Sequence, residues 1–395
     1  MMNGNVTVDV AYKSLNKFTE VLCGDKVELL KTEDSNIMIL ADGMGSGVKA
    51  NILATLTSKI LGTMFLNGAT LEECVETIVQ TLPVCQVRQV AYSTFSILQV
   101  FHNGDAYLVE FDNPGCIFIR DGELVQIPSN IREVEGKKIN EYRFKVKKGD
   151  SLVLMSDGTI HAGVGRLLNF GWTWESMAEY AVKQARTTIS ASRLAAMLVR
   201  ACDELYMFRP GDDTTVAVMR IIDRKPVHLL TGPPSNKEDD EKMVRSFMEG
   251  EAKRIVSGGT SANIVSRVLN KKLCPTLDYI DPEIPPIAYM DGIELVTEGV
   301  LTLNRAVTLL KKYVDDEQQI SEDFFLELDK PNGGSLVARM LIEDCTELHM
   351  YIGKAINVAH QNPNLPFDLG IRQNLVEQLK KAVEKMGKTV TVTYY

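Results

Sequence analysis

The sequence predicts an α+β chain in two parts: a first domain of layered sheets and helices, then a separate α/β domain. Three observations carry this. Several strand-like segments follow one another between residues 93 and 127, with helical segments gathered in pairs on either side, which is the order of a layered α+β domain. The last part of the chain instead alternates strand and helix. Between the two lies the sharpest break in composition, Asp223 to Glu241, which holds Pro226, Gly232-Pro233-Pro234-Ser235-Asn236 and the charged run Lys237 to Glu241. Pro-Pro removes two backbone donors and the charged run cannot be buried, so this is a loop near a boundary. The expected domains are residues 1–224 and 225–395, within the two to three domains that 395 residues allow.

Taken in order, Val6–Val10 and Val27–Lys31 read as strands, and the apolar run Ile37–Ala41 as a buried strand. It meets Asp42-Gly43-Met44-Gly45-Ser46-Gly47, after which a helical pattern runs from Val48 to Phe65 and another from Leu71 to Leu82. Strands follow at Ser93–Phe101, Ala106–Phe111, Cys116–Arg120 and Glu123–Ile127, the last two joined by the hairpin pair Asp121-Gly122. Ser151–Ser156 is a further strand, Trp174–Gln184 and Ser190–Tyr206 are helices, and Thr214–Ile222 closes the domain as a strand. The second part gives strand Val227–Leu230, helix Asp239–Glu249, strand Arg254–Ser257 and helix Ser261–Leu269. After them come Ile287–Val296, helix Leu303–Tyr313, strand His349–Ile352, helix Ile371–Met386 and strand Val390–Tyr394.

Composition removes several function classes. With 43 Lys+Arg against 52 Asp+Glu the formal charge is −9, and no Lys/Arg cluster offers the footprint of nucleic-acid binding. No apolar run is long enough to span a bilayer and the N-terminus lacks a signal-peptide pattern, so no membrane partner is expected. Seven cysteines without a C-x-x-C pair argue against a disulfide scaffold or a zinc ribbon and fit a reducing cytoplasm. Five histidines without H-E-x-x-H or H-x-H spacing leave no nitrogen–sulfur metal site.

The chemistry lies in three aspartate-bearing turns at strand ends: Asp42-Gly43, Asp157-Gly158 and Asp212-Asp213. Each alone is an everyday turn. Together they match what hard cations such as Mg²⁺ and Mn²⁺ require, carboxylate oxygens gathered from distant parts of the chain. A glycine after Asp42 leaves the backbone carbonyl free to approach a metal. A two-metal site of this kind activates water against a phosphoester. The alternating glycines Gly43, Gly45 and Gly47 do not form a dinucleotide loop. The third stands one position early, and Asp42 would repel a pyrophosphate.

Four segments occur in order: Ala41-Asp42-Gly43-Met44-Gly45-Ser46-Gly47, Asn113-Pro114-Gly115, Lys148 to Gly158, and Gly211-Asp212-Asp213-Thr214-Thr215-Val216. Over residues 5–222 the chain thereby resembles the SpoIIE-like branch of the PPM-type metal-dependent serine/threonine protein phosphatases. The resemblance implies an α-β-β-α sandwich with two Mn²⁺ or Mg²⁺ ions at one edge of its sheets. Carried over by position, Asp42 bridges the metals, the Gly43 carbonyl ligates one, and Asp157 and Asp212 complete the set. Asp213 stands beside the last ligand, and Asp25 of Cys23-Gly24-Asp25 matches an early Gly-Asp element. Many relatives have histidine after the first Asp-Gly. Here Met44 cannot donate a proton, which leaves a metal-held water or His161 as the general acid. The phosphate-binding arginine of many relatives has no counterpart before Asp25. The implied partner is a phosphorylated regulatory protein such as an anti-sigma-factor antagonist.

In the second domain Ser257-Gly258-Gly259-Thr260-Ser261 lies between a strand and a helix. It is either an anion cradle or a tight turn with Thr260 or Ser261 as N-cap. Met290-Asp291-Gly292 reads as a hairpin turn, and Leu375, Leu379 and Val383 as a core stripe. The expectation is a two-metal phosphoprotein phosphatase joined to a regulatory or ligand-binding α/β domain. The alternatives are a catalytically silent signalling module of phosphatase fold, and a small-anion sensor acting through the second domain.

Overall fold

The computed structural model describes residues 6–81, 93–134, 137–276, 286–315, 322–355 and 368–395. The chain divides into two compact units, the first Met1–Asp223 and the second beginning at Arg224.

The first unit opens with strands β1 (Thr7–Leu15), β2 (Asp25–Lys31) and β3 (Ser35–Gly43), then helices α1 (Gly47–Leu66) and α2 (Leu71–Thr81). Strands β4 (Ser93–Phe101), β5 (Asp105–Phe111), β6 (Ile117–Arg120), β7 (Glu123–Val125), β8 (Asn130–Val134), β9 (Lys137–Lys145) and β10 (Ser151–Met155) follow. The one-turn helix α3 (Asp157–Ile160), helices α4 (Trp174–Ala185) and α5 (Ala191–Leu205), and strand β11 (Thr214–Ile222) complete it. Two antiparallel sheets result, in the orders β1-β11-β10-β6-β7 and β2-β3-β4-β5-β9-β8.

Strand β3 shows why the run Ile37–Ala41 carries no polar residue. Ile37, Ile39 and Ala41 pack under Leu53, Ala54 and Leu61 of α1 and Ile78 of α2. Met38 and Leu40, which point to the opposite face by strand alternation, meet Phe118, Leu152, Leu154 and Met219 of the other sheet. That sheet turns Ile117, Ile119, Val153, Val216 and Val218 outward against Met177, Ala178 and Ala181 of α4 and Leu194 and Leu198 of α5. Both faces of both sheets are covered, giving the expected α-β-β-α sandwich. Each fully buried aliphatic side chain contributes about 1.5–3 kcal/mol. The Asp121-Gly122 hairpin forms as read, Arg120 pairing with Glu123 while both turn residues take positive φ (53° and 77°). Strands β8 and β9 are absent from the sequence reading.

The second unit contains β12 (Pro226–Thr231), α6 (Asp240–Met248), β13 (Lys253–Ser257), α7 (Gly259–Leu269), β14 (Cys274–Pro275), β15 (Ala288–Met290) and β16 (Ile293–Thr297). Then come α8 (Val300–Asp315), α9 (Glu322–Leu328), α10 (Gly333–Glu343), β17 (Glu347–Ile352), α11 (Asp368–Lys385) and β18 (Thr389–Tyr394). Its single sheet runs β14-β15-β16-β13-β12-β17-β18. The five strands from β16 to β18 are parallel, and β14 and β15 add an antiparallel edge. This is the separate α/β domain, wound outward in both directions from β12. Within Ile287–Val296 the hairpin turn read at Met290-Asp291-Gly292 forms, joining β15 to β16, and Leu375, Leu379 and Val383 are buried as a core stripe.

Candidate functional site

The two sheets of the first unit bring their acidic strand ends together. Asp25 begins β2 and lies directly opposite Asp42 on β3. In the other sheet, β10 and β11 pair with Met155 opposite Val216. Asp157, two residues past the end of β10, therefore stands near Asp212-Asp213, which lead into β11. Ser156 ties the sheets to each other: its hydroxyl donates to Asp25 Oδ2 at 2.8 Å and accepts from the Thr215 backbone N–H at 2.8 Å.

Glycines allow this closeness. A Cβ on Gly43 would lie 2.1 Å from the Ala50 carbonyl oxygen, and one on Gly158 2.1 Å from the Asp213 carbonyl oxygen. A Cβ on Gly24 would lie 2.7 Å from Asp213 Oδ2. Side chains at these positions would push the acidic turns apart.

The electrostatics record the crowding. Burial, followed by the charges of Asp25, Asp157, Asp212 and Asp213, pushes the Asp42 carboxyl up to about 10. Burial also lifts Asp25 to about 7, with hydrogen bonds from Thr215 and Ser156 pulling the other way. Asp212 is raised by burial and by Asp157, and Asp213 by burial against the opposing hydrogen bonds from the backbone N–H groups of Lys17 and Gly24. Carboxylates so placed hold protons unless a counter-charge beside them favours the ionised form.

A cation reaches them. Lys17, in the loop after β1, donates its backbone N–H to Asp213 Oδ1 at 3.0 Å and places Nζ 3.8 Å from Asp212 Oδ1. Sequence reasoning missed Lys17. Its place follows from the pairing of Leu15 with Thr214, a long-range contact with no local signal. The role of Ser156 was likewise invisible, although the residue sat inside a quoted motif.

Two buried oxygens, Asp25 Oδ1 and Asp213 Oδ2, make no hydrogen bond. Such atoms are expensive to bury unless something else satisfies them. An all-oxygen donor set with two orphaned buried oxygens fits a hard divalent cation such as Mg²⁺ or Mn²⁺. Among the described residues, no group of three or more His, Cys, Asp or Glu side chains stands close enough together to hold a metal ion as placed.

The remaining motif residues serve the frame. Asp150, fully buried, accepts from Arg120 Nε at 2.9 Å and Nη2 at 2.6 Å and fastens β6 to β10. Asn113 bonds Thr94 and Ser96 of β4, and the Gly115 carbonyl accepts from Trp174 Nε1 at 2.7 Å. Gly158 is held by Tyr206, whose hydroxyl donates to its carbonyl at 2.7 Å. His161 stands exposed just past α3, its backbone N–H bonded to the Asp157 carbonyl at 3.1 Å.

In the second unit the helix after β13 starts earlier than read. Gly258, at φ +113°, is its N-cap, so neither Thr260 nor Ser261 caps it. The reason is local: only glycine takes that φ without strain, and the backbone turns into α7 there. Glu298 places Oε1 3.9 Å from where a Gly259 Cβ would lie. An anion at Gly258, Gly259, Thr260 and Ser261 would therefore meet a carboxylate.

Residues 32–222, just under half the chain, match the protein family described as Stage II sporulation protein E (SpoIIE). Among curated protein sequences none matches the chain. Similar solved structures include the PP2C phosphatase domain of SpoIIE from Bacillus subtilis with a fragment of its regulatory domain. That pair shares 18% identity over 55% of this chain and 65% of that one, at TM-score 0.47. The RsbU and RsbW domains of a Mycobacterium tuberculosis protein share 17% identity over 62% and 69%, at 0.46. The SiaA PP2C domain of Pseudomonas aeruginosa shares 17% over 54% and 86%, at 0.44. The chain thus spans just under two thirds of the first of these.

Proposed function

Taking residues 32–222 as a SpoIIE-type domain, we propose that the first unit is a metal-dependent serine/threonine phosphoprotein phosphatase of bacterial regulatory signalling. Residues 225–395 then regulate it or bind a ligand or partner. The observation that supports this most is the electrostatic crowding of Asp42 by Asp25, Asp157, Asp212 and Asp213, with orphaned buried oxygens on Asp25 and Asp213. Asp42, the Gly43 carbonyl, Asp157 and Asp212 would hold two Mn²⁺ or Mg²⁺ ions, with Asp25 and Asp213 behind them. Two such ions, when bound, supply Lewis-acid activation of water and neutralise charge on a phosphoryl group.

The chain's own residues do the rest. Ser156 fixes the orientation of Asp25 through one oxygen and leaves the other free. Lys17 stands where its ammonium group attracts a dianionic phosphoryl group toward Asp212. Met44 has no proton to give, which leaves a water or the exposed His161 to protonate the leaving serine or threonine oxygen. The proposed partner is a phosphorylated regulatory protein of the anti-sigma-factor-antagonist kind, met in the cytoplasm. No helix among the described residues is long and apolar enough to cross a membrane.

Calorimetric titration of Mn²⁺ into chelator-treated protein tests the site. Binding heat that disappears in Asp42→Asn is expected. A folded wild-type protein that takes up no Mn²⁺ would contradict the reading.

A further inference from the structure

Three loops of the first unit border the acidic cluster: residues 16–24 after β1, 161–171 after α3 and 206–213 before β11. They are fastened to one another. Phe18 N–H donates to the Pro210 carbonyl at 2.8 Å, Lys17 N–H to Asp213 at 3.0 Å, and Arg166 Nη1 to the Tyr206 carbonyl at 2.5 Å. All three loops carry large apolar side chains in solvent: Phe18 and Val21, Leu167 and Phe170, Met207 and Phe208. Their exposure runs from 50% at Phe18 to 90% at Phe170. Single exposed apolar residues are ordinary, but such residues gathered on adjoining loops mark an interaction surface. Met207 and Phe208 are also consecutive non-glycine residues at positive φ (56° and 59°), a conformation unfavourable for any L side chain.

Charged residues of both signs share these loops: Lys17, Arg166 and Arg209 balance Glu20, Asp212 and Asp213, against a net −9 for the chain, and the Arg209 guanidinium lies 5.3 Å from the Phe18 ring centroid. A small phosphorylated metabolite reaching the aspartates would leave this apolar surface wet. A phosphorylated residue within a protein segment would lay its neighbours across it.

Resting on the phosphatase reading above, we infer that these loops form a docking collar for the phosphorylated segment of a partner protein. A large apolar side chain next to the phosphoserine or phosphothreonine seats on Phe18 and Phe208, while Lys17 and Arg209 meet the segment's negative charge. The collar selects substrates by apolar neighbours of the phosphorylated residue.

The test compares two phosphothreonine peptides, identical except for leucine or serine on both sides of the phosphothreonine, on the full chain with Mn²⁺. The leucine peptide is expected to show a kcat/KM about tenfold higher. Phe18→Ser and Phe208→Ser should each narrow that preference toward equality, and Phe208→Leu should keep it. Equal kcat/KM in the wild type, or an unchanged preference in both serine variants, overturns the collar. Turnover of neither peptide would count against the phosphatase reading, and the collar is then read from binding alone. By fluorescence anisotropy the labelled leucine peptide should bind more tightly, with the difference lost in Phe208→Ser; equal binding overturns the inference. Light scattering that shows Phe208→Ser breaking up an oligomer would assign the surface to a second copy of the chain and overturn it as well.

Discussion

Ser156 Oγ and Asp25 Oδ2, 131 positions apart in sequence, lie 2.8 Å from each other and join the two sheets at their acidic ends. The same hydroxyl accepts from the Thr215 N–H, so one side chain ties the early Gly-Asp turn to both later aspartate turns. Ser156→Ala would leave the buried Asp25 carboxylate and a buried N–H unpaired. The expected loss is about 1–3 kcal/mol of stability, read by urea denaturation, together with weaker Mn²⁺ binding by calorimetry.

Asp42 is where like charge is most concentrated. Burial and four neighbouring carboxylates push its carboxyl up to about 10. Asp42→Asn removes a carboxyl from that crowd without changing its size. Free of metal, the variant should melt at or above the wild-type temperature, and Mn²⁺ should raise the melting temperature of the wild type only. A variant that unfolds without metal would show that Asp42 serves the frame.

Gly43 and Gly45 separate two reasons for a glycine. A Cβ at Gly43 would collide with the Ala50 carbonyl at 2.1 Å, whereas a Cβ at Gly45 meets nothing within 4 Å and suffers only from its φ of +106°. Gly43→Ala is expected to cost about 1–3 kcal/mol or more through overpacking. Gly45→Ala should cost about 1 kcal/mol through backbone strain. Chemical denaturation of both variants checks the order, and an equal loss would contradict it.

In the second unit Asp344 gives a pH dependence with a defined sign. Burial alone would raise its carboxyl, but Lys253 Nζ at 2.9 Å and Lys225 Nζ at 3.6 Å outweigh that and hold it below the usual range. A depressed carboxyl adds stability that is complete above the unfolded value and lost as pH falls through the folded one. Asp344→Asn should therefore cost about 1 kcal/mol at pH 7. The gap between variant and wild type should close as pH falls below about 4. Melting curves across that window read it, and a gap that persists at pH 2 would contradict the ion-pair account.

Much of the sandwich was legible because its strands are covered on both faces and so read as long apolar runs, as at Ile37–Ala41. Strand β9 was not. Lys137–Lys145 looks like a charged loop, yet it lies between β5 and β8, with Ile139 buried and Glu141 paired to Arg132 at 3.1 Å. Its polarity is compensated by a partner strand that local sequence cannot reveal. Helix α10 was hidden by Gly333-Gly334, which normally signals a loop. It forms because Asn332 caps it through Ser335 N–H at 2.9 Å, and because a Cβ at Gly334 would press on Arg305 at 2.6 Å. At the site, Asp42, Asp157 and Asp212 were readable as turn residues at strand ends. Lys17 was not, since only the β1–β11 register brings it there.

The most direct test of the account is phosphate release from a panel of phosphoserine and phosphothreonine peptides by chelator-treated protein. Wild type and Asp42→Asn are compared, each with and without Mn²⁺. The account predicts release by the wild type only when Mn²⁺ is restored, and none by Asp42→Asn under any condition. Equal release by Asp42→Asn, or release by the wild type that ignores Mn²⁺, would contradict a cation-dependent site built on these aspartates.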